Sequence, residues 1–122
     1  MIGRINGTIV EKRLDQVLVD VNGLAYEVEI PLTTYDVLGE VDDRVSLRTH
    51  FIVREDAQIL YGFGSERERE LFRSLIKVNG VGPRVALGIQ SSMDPESFVR
   101  CVRESDVKAL VTLPGIGKKT AE

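Results

Sequence analysis

The stretch LPGIGKKT at residues 113–120 combines two glycines, two lysines and a threonine, a composition that suits the binding of a phosphate group. A nucleotide-binding P-loop requires a glycine, four arbitrary residues and then Gly-Lys-Ser/Thr, so that the hydroxyl reaches magnesium. Here Thr112 stands where the first glycine should be, and Lys119 separates Lys118 from Thr120. The spacing excludes ATP or GTP, so the phosphate must belong to another kind of ligand.

The glycine pair of this stretch occurs twice in the chain. LIKVNGVGPRVA at residues 75–86 aligns with LVTLPGIGKKTA at residues 110–121, at a constant offset of 35. Each copy places Gly-apolar-Gly between two segments with helical spacing. Glycines let the backbone turn and approach a ligand closely, while the apolar residue between them anchors the turn. The helix that follows would direct its unpaired amides and its dipole at an anion.

Basic residues follow each glycine pair, with Arg84 in the first copy and Lys118 and Lys119 in the second. A cation in the first turn of a helix opposes the helix dipole, which indicates that an external negative charge compensates it. Two sites at a fixed separation suit a polymer with regularly spaced phosphates, and such contacts carry no base information. We therefore predict a nucleic acid ligand that is bound without sequence specificity and with strong salt dependence.

The distribution of charge places such a site in the second half of the chain. The 122 residues are 43% hydrophobic, which is ordinary for a globular protein of one domain or two small ones. Residues 1–63 carry six Lys/Arg against eleven Asp/Glu, whereas residues 64–122 carry ten against eight.

No apolar run approaches the roughly 20 residues that span a bilayer, and the first residues do not resemble a secretion signal. We expect a cytoplasmic protein without membrane contact.

Metal and disulfide chemistry are not expected. The chain has one cysteine, Cys101, and one histidine, His50, which cannot supply an internal disulfide or a zinc site. Cys101 lies on an apolar helical pattern and His50 in a strand-like run, so both are interpreted as structural residues. We predict no metal, no cofactor and no catalytic residue.

Two periodicities divide the chain near residue 63. Apolar and polar residues alternate in the first part, as in QVLVDVNGLAYEVEI, where Asn22-Gly23 is a strong hairpin signal. About five such strands, interrupted by PLTTYDVL, predict a small barrel or curled sheet. Helical spacing follows, and the predicted helices are SERERELFRSLIKV with its cap at Ser65, PRVALGIQ from Pro83, MDPESFVRCVRE with its cap at Asp94, and SDVKALVT. The predicted fold class is α+β, with a β-barrel followed by an all-α domain.

The two hairpins resemble the helix-hairpin-helix DNA-binding motif, whose pattern of apolar, x, Gly, apolar, Gly is matched by VNGVG and LPGIG. The whole chain resembles the RuvA family, the Holliday-junction-binding subunits of a bacterial branch-migration machine. The stretches that carry this resemblance are MIGRINGTIVEK, THFIVREDAQILYGF, LIKVNGVGPRVALGI and LPGIGKKTAE, and together they span nearly the whole chain.

This resemblance implies an OB-like barrel over residues 1–63 and a tandem helix-hairpin-helix domain over residues 64–122. It also implies a homotetramer that holds four-way junction DNA open, a non-catalytic role that targets the ATP-driven RuvB motor to the junction, and RuvC endonuclease as a partner. Arg84 stands where a lysine is common, which keeps the charge but changes the hydrogen-bond geometry. The positions that match the family's phosphate-contacting residues are Gly80, Val81, Gly82, Arg84, Gly115, Ile116, Gly117, Lys118 and Lys119.

The sequence REDAQ places two acidic residues, Glu55 and Asp56, where the family has an acidic pin. Taken alone, carboxylates at a turn between strands are commonly just solvated. The resemblance implies that four such tips meet at the centre of the junction and repel its phosphates. It further implies that the chain is an N-terminal fragment, because typical members continue past KKTAE into a third domain that binds the motor.

Two other functions remain open on the sequence. DNA glycosylases also present a glycine-rich hairpin resembling LPGIGKKTA, but they need a catalytic aspartate downstream of it, and the given chain ends at Glu122. The strand-rich first half also differs from their all-helical fold. A small helical protein-interaction module would use the same hairpins to pack against protein instead of DNA.

Overall fold

The structure is a computed structural model that describes residues 2–92 of the chain. The chain divides into two compact units, of which the first is Met1–Arg69 and the second begins at Glu70. The last barrel strand ends at Phe63, and helices follow it.

Five strands close into a barrel in the order β1-β2-β3-β5-β4. Neighbouring strands are antiparallel except β3 and β5, which run parallel and pair at Val28 with Leu60 and at Glu29 with Tyr61. This closed barrel, followed by helices, confirms the predicted α+β class. The strands are β1 (Arg4–Lys12), β2 (Gln16–Val21), β3 (Leu24–Glu29), β4 (Arg44–Val53) and β5 (Gln58–Phe63).

Alternating positions of the strands fill the barrel. Val17 and Val19 of β2 are buried, as their period of two predicts, because successive side chains of a strand point to opposite faces. The register of β1 with β2 shifts between Ile9 and Glu11, and the alternation breaks there, because Val10 and Glu11 are consecutive and both exposed. The buried core of the barrel consists of Ile5, Ile9, Val17, Val19, Val28, Ile30, Leu47 and Leu60.

The turn between β2 and β3 is the one that the sequence predicts. Asn22 and Gly23 have φ angles of 54° and 97°. Positive φ at both central residues is the requirement of the two-residue turn that matches the twist of a β-hairpin.

The closure of the barrel through the parallel strands β3 and β5 depends on a glycine, Gly62, which has no side chain. A Cβ atom on Gly62 of β5 would lie 2.5 Å from Cγ1 of Val28 and 3.2 Å from Cδ1 of Leu47. Both neighbours belong to the barrel core, so the site has no room for a methyl group.

Three helices lie within the described residues: α1 (Leu32–Val37), α2 (Glu66–Leu75) and α3 (Pro83–Ser92). The helix α1 occupies PLTTYDVL, which the sequence pattern indicates only as an interruption between strands. The predicted cap of α2 is confirmed, since the Glu68 amide donates to Oγ of Ser65 at 3.3 Å. Pro83 occupies the first position of α3, as predicted.

The predicted apolar face of α2 is partly wrong. The spacing of Leu71, Leu75 and Val78 in SERERELFRSLIKV predicts that they share one helix face, but the helix ends at Leu75 and Val78 lies beyond it, exposed. The buried residues of α2 are instead Phe72 and Leu75. The chain leaves the helix through turns whose hydrogen bonds are local, so the apolar periodicity overestimates the helix length.

The other predicted helices, with Asp94 and Cys101, lie outside the described residues. His50 lies half-buried in β4. Within residues 2–92, no helix is long and apolar enough to cross a membrane. The same part of the chain contains no cluster of three or more His, Cys, Asp or Glu residues that could hold a metal ion.

The parallel pairing decides which connections lie at which end of the barrel. Because β3 and β5 run in the same direction, the segments that follow them leave from the same end. The helix α1 follows β3 and α2 follows β5, so α1 and the first turn of α2 lie together. The loop that precedes β5 lies at the opposite end.

We predict that Gly62→Ala destabilises the barrel by about 1–3 kcal/mol, because the added methyl group overpacks the core beside Val28. The control is Gly3→Ala, where the nearest atom to the new Cβ is Nη1 of Arg69 at 4.0 Å. All three tyrosines of the chain, Tyr26, Tyr35 and Tyr61, belong to the barrel unit. Urea unfolding followed by tyrosine fluorescence therefore measures the barrel, and equal unfolding midpoints for the two variants would contradict the prediction.

Candidate nucleic-acid interface

The first Gly-apolar-Gly segment forms a tight corner between α2 and α3. We call residues 78–83 the first glycine corner. The amide of Val81 donates to the carbonyl of Val78 at 3.1 Å, which closes a turn with Gly80 as its third residue. Gly80 has a φ of 86°, a conformation that other residues adopt at a cost. Glycine at the third position is typical of a type II turn.

The three central residues of the corner differ in exposure as the sequence predicts. Val81 is only 6% exposed, and its buried side chain anchors the corner. Gly80 and Gly82 on either side of it are exposed. The buried apolar side chain thus holds a short stretch of glycine backbone at the surface.

The start of α3 is open to a ligand. The carbonyl of Gly82 accepts the amide of Ala86 at 2.9 Å, which makes Gly82 the N-cap residue. Glycine offers no side-chain acceptor to the amides of the first turn, and a Cβ at this position would have no neighbour within 4 Å. An anion can therefore approach these amides and the positive end of the helix dipole directly.

Two cations flank the first glycine corner. Arg84 is exposed in the first turn of α3, as the proposed phosphate contact requires. Lys77 is exposed just before the corner, and it is not among the residues predicted from the sequence. The only signal in the sequence was the basic character of the second half, because Lys77 has no basic counterpart at Thr112 in the repeat.

The second copy of the motif, which we call the second glycine corner (residues 113–118), lies outside the described residues. The assignments made there from the sequence remain predictions. They concern Gly115, Ile116, Gly117 and Lys118, together with Lys119 just after the corner.

The two acidic residues lie at the tip of the β4–β5 hairpin. The amide of Arg54 donates to the carbonyl of Ala57 at 2.7 Å, and this bond closes the loop. Glu55 and Asp56 are exposed between them. We call residues 54–57 the acidic loop. It lies at the barrel end opposite to α1, because it precedes β5 whereas α1 follows the parallel strand β3.

Two family models match the chain. The model of the RuvA N terminal domain matches residues 1–62, and that of a SAM-like helix-hairpin-helix tandem matches residues 72–122. The second match includes both glycine corners.

Curated relatives are similar over the whole chain. Proteins from Marinobacter nauticus, Stutzerimonas stutzeri and Pseudomonas aeruginosa (strain LESB58) are 58%, 55% and 54% identical to it over 122 residues. Each is named Holliday junction branch migration complex subunit RuvA. The chain covers 58%, 61% and 61% of their respective lengths.

We predict that alanine has different effects at the two exposed glycines. Gly80→Ala should lower the free energy of unfolding of the second unit by about 1–2 kcal/mol, because alanine is strained at positive φ. Gly82→Ala should cost only about 0.5 kcal/mol, since its Cβ meets open space and alanine is merely a poorer N-cap. Urea unfolding followed by circular dichroism at the helix band measures both. A larger loss for Gly82→Ala would contradict this account of the corner.

Proposed function

The chain belongs to the RuvA family, whose N-terminal domain it matches over residues 1–62, and on this basis we propose that it binds four-way junction DNA. In this role it is a non-catalytic subunit that grips the DNA backbone and targets an ATP-driven motor to the junction. The motor then drives branch migration in recombination and DNA repair. The observation that carries the proposal is the pair of exposed glycines around buried Val81 at the start of α3.

A phosphate group satisfies each feature of the first glycine corner. Its oxygens accept hydrogen bonds from main-chain amides that Gly82 leaves uncapped, and its charge is stabilised by the dipole of α3. The Arg84 guanidinium, exposed beside these amides, can donate two hydrogen bonds to one phosphate. We propose that the second glycine corner repeats this contact with Lys118 and Lys119, so that each chain grips two positions along a DNA backbone.

The proposed contacts read no bases, so specificity must come from the shape of the DNA. Four copies of the chain would supply four pairs of glycine corners, one pair for each arm of a four-way junction. The acidic loop then helps the chain to distinguish a junction from a duplex. Glu55 and Asp56 repel phosphates, and this repulsion favours a junction whose strands are parted at the centre. We propose a homotetramer for this reason.

The remaining partners belong to the proposal as well. We propose RuvB as the motor and RuvC as the endonuclease that act on the same junction, in the cytoplasm. The chain spans about 60% of the length of its curated relatives. We assign motor binding to the part of the family's length that these residues do not span.

The first prediction of this function concerns Arg84. Arg84→Glu should weaken binding to both junction and duplex by at least about tenfold, because it replaces a phosphate contact with a repelling charge. The slope of log affinity against log salt should fall by about one for each phosphate that the variant no longer neutralises. Fluorescence anisotropy with a labelled junction and a duplex of equal length, at several salt concentrations, measures both quantities.

The matched control for Arg84→Glu is Arg44→Glu, which makes the same change of net charge at an exposed position of the barrel. It should bind both DNAs nearly as the unaltered chain does, and an equal weakening in the two variants would remove the argument for a local contact.

The double variant Lys118→Glu with Lys119→Glu tests the second glycine corner, and it should no longer bind DNA while remaining folded. Equal affinity of the unaltered chain for junction and duplex would contradict junction specificity.

A second prediction concerns the acidic loop. Glu55→Gln with Asp56→Asn should reduce the preference for junction over duplex several-fold, because it removes repulsion without changing the shape of the side chains. Fluorescence of 2-aminopurine at the crossover should report less parting of the strands. The control Glu11→Gln with Asp15→Asn removes the same charge from two other exposed positions of the barrel. An undiminished preference in the acidic-loop variant would rule out its role in discrimination.

A further inference from the structure

The first turn of α2 is attached to the barrel by polar contacts that the proposed phosphate sites do not use. Arg69 lies at their centre, with its side chain only 13% exposed. Its Nη1 donates to the carbonyl of Gly3 at 2.7 Å and to the carbonyl of Thr49 at 3.3 Å. The same guanidinium also binds both carboxylate oxygens of Glu66, which holds it in one plane.

A second attachment involves the neighbouring residue of the same turn. The hydroxyl of Thr34, which is fully buried in α1, donates to Oε2 of Glu68 at 2.8 Å. It also accepts the amide of Gly64 at 3.1 Å. The hydroxyl proton and a lone pair of Thr34 are therefore both in use, and the removal of this hydroxyl would break both hydrogen bonds.

The two attachments act on different sides of the helix. Glu68 and Arg69 are consecutive, so their side chains diverge by about 100° around a helix of 3.6 residues per turn. One contacts α1, while the other contacts the segment before β1 and strand β4. A single contact would let the turn pivot, whereas two on different sides resist both rotation and tilt.

These contacts, which we call the α2 clamp, lie entirely within the first compact unit. The helix that they hold continues to Leu75, and the first glycine corner follows at residue 78. The members of the α2 clamp are Gly3, Thr34, Thr49, Glu66, Glu68 and Arg69.

We propose that Arg69 is a positioning residue for junction binding, and that it acts by holding the first turn of α2 in one direction on the barrel. The inference rests on the proposed function, because only a four-armed DNA requires the glycine corners to be presented in a set direction. A single duplex backbone can be gripped by corners in many directions. Loss of the α2 clamp therefore lowers the affinity for the junction and leaves the affinity for duplex nearly unchanged.

The binding experiment compares Arg69→Ala with Arg67→Ala, which removes the same charge from an exposed position of the same turn. Arg69→Ala should lower the ratio of junction to duplex affinity on the order of tenfold, whereas Arg67→Ala should not, because multivalent binding fails when geometry is not maintained. Arg69→Lys should fall between them, since lysine lacks the planar fork that serves two carbonyls and a carboxylate. Thr34→Val removes the second attachment and should lower the same ratio.

A distance measurement tests the clamp without DNA. Spin labels are placed at Ser46→Cys in β4 and Ser74→Cys in α2, both exposed, in a Cys101→Ser background. The labelled chain is diluted with unlabelled chain so that distances between protomers do not contribute. Arg69→Ala should broaden the distribution of label distances relative to Arg67→Ala.

Each outcome of these measurements decides the proposal. A folded Arg69→Ala chain with an unbroadened distance distribution, or with an unchanged junction preference, overturns it. If Arg69→Ala and Thr34→Val both unfold the barrel, as tyrosine fluorescence would show, these residues maintain the barrel itself and the positioning role is wrong. If the unaltered chain prefers no junction, the proposed function fails, while the distance distributions still decide whether Arg69 positions α2.

Discussion

The barrel closes through a parallel pair of strands, and this pairing decides where the other parts of the first unit lie. The contact between β3 and β5 is short, with Val28 opposite Leu60 and Glu29 opposite Tyr61. It requires a glycine at position 62, because a methyl group there would collide with Val28. Parallel partners begin at one end and finish at the other, so α1 meets the first turn of α2 while the acidic loop lies at the far end. The hydrogen bond between Thr34 and Glu68 follows from that arrangement.

The first glycine corner has the two properties that the proposed phosphate site requires, exposed backbone amides and a fixed position for them. Backbone amides have to be exposed to the ligand, yet an exposed loop without anchors would be too mobile to present them. Burial of Val81 supplies the anchor, and positive φ at Gly80 lets the chain reverse without a side-chain clash. Gly82 then leaves the start of α3 uncovered. The corner therefore depends on backbone geometry more than on any charged side chain.

The proposed function explains why charge is distributed unevenly along the chain. Residues 64–122 carry an excess of basic side chains, which favours contact with a polyanion, whereas residues 1–63 are strongly acidic. A uniformly basic protein would bind any DNA, and phosphate contacts alone cannot distinguish a junction from a duplex. In this proposal the discrimination comes from repulsion by the acidic loop and from the direction in which α2 is held. Affinity and selectivity would then reside in different parts of the chain.

Local features of the sequence determined the strands, the turn at Asn22-Gly23, the cap at Ser65, the start of α3 at Pro83 and the anchoring of the corner by Val81. Each depends on neighbours within a few residues, so periodicity and residue type are sufficient to predict it. The helix α1, the parallel pairing of β3 with β5 and the contacts of Arg69 with Gly3 and Thr49 were decided only by the tertiary structure. The residues that make the strand pairing and the Arg69 contacts lie up to 66 positions apart in the sequence. Pairs so far apart leave no repeating pattern along the chain. The exposed or buried state of a polar residue such as Arg69 is set by which distant carbonyls the closed barrel brings within reach of it.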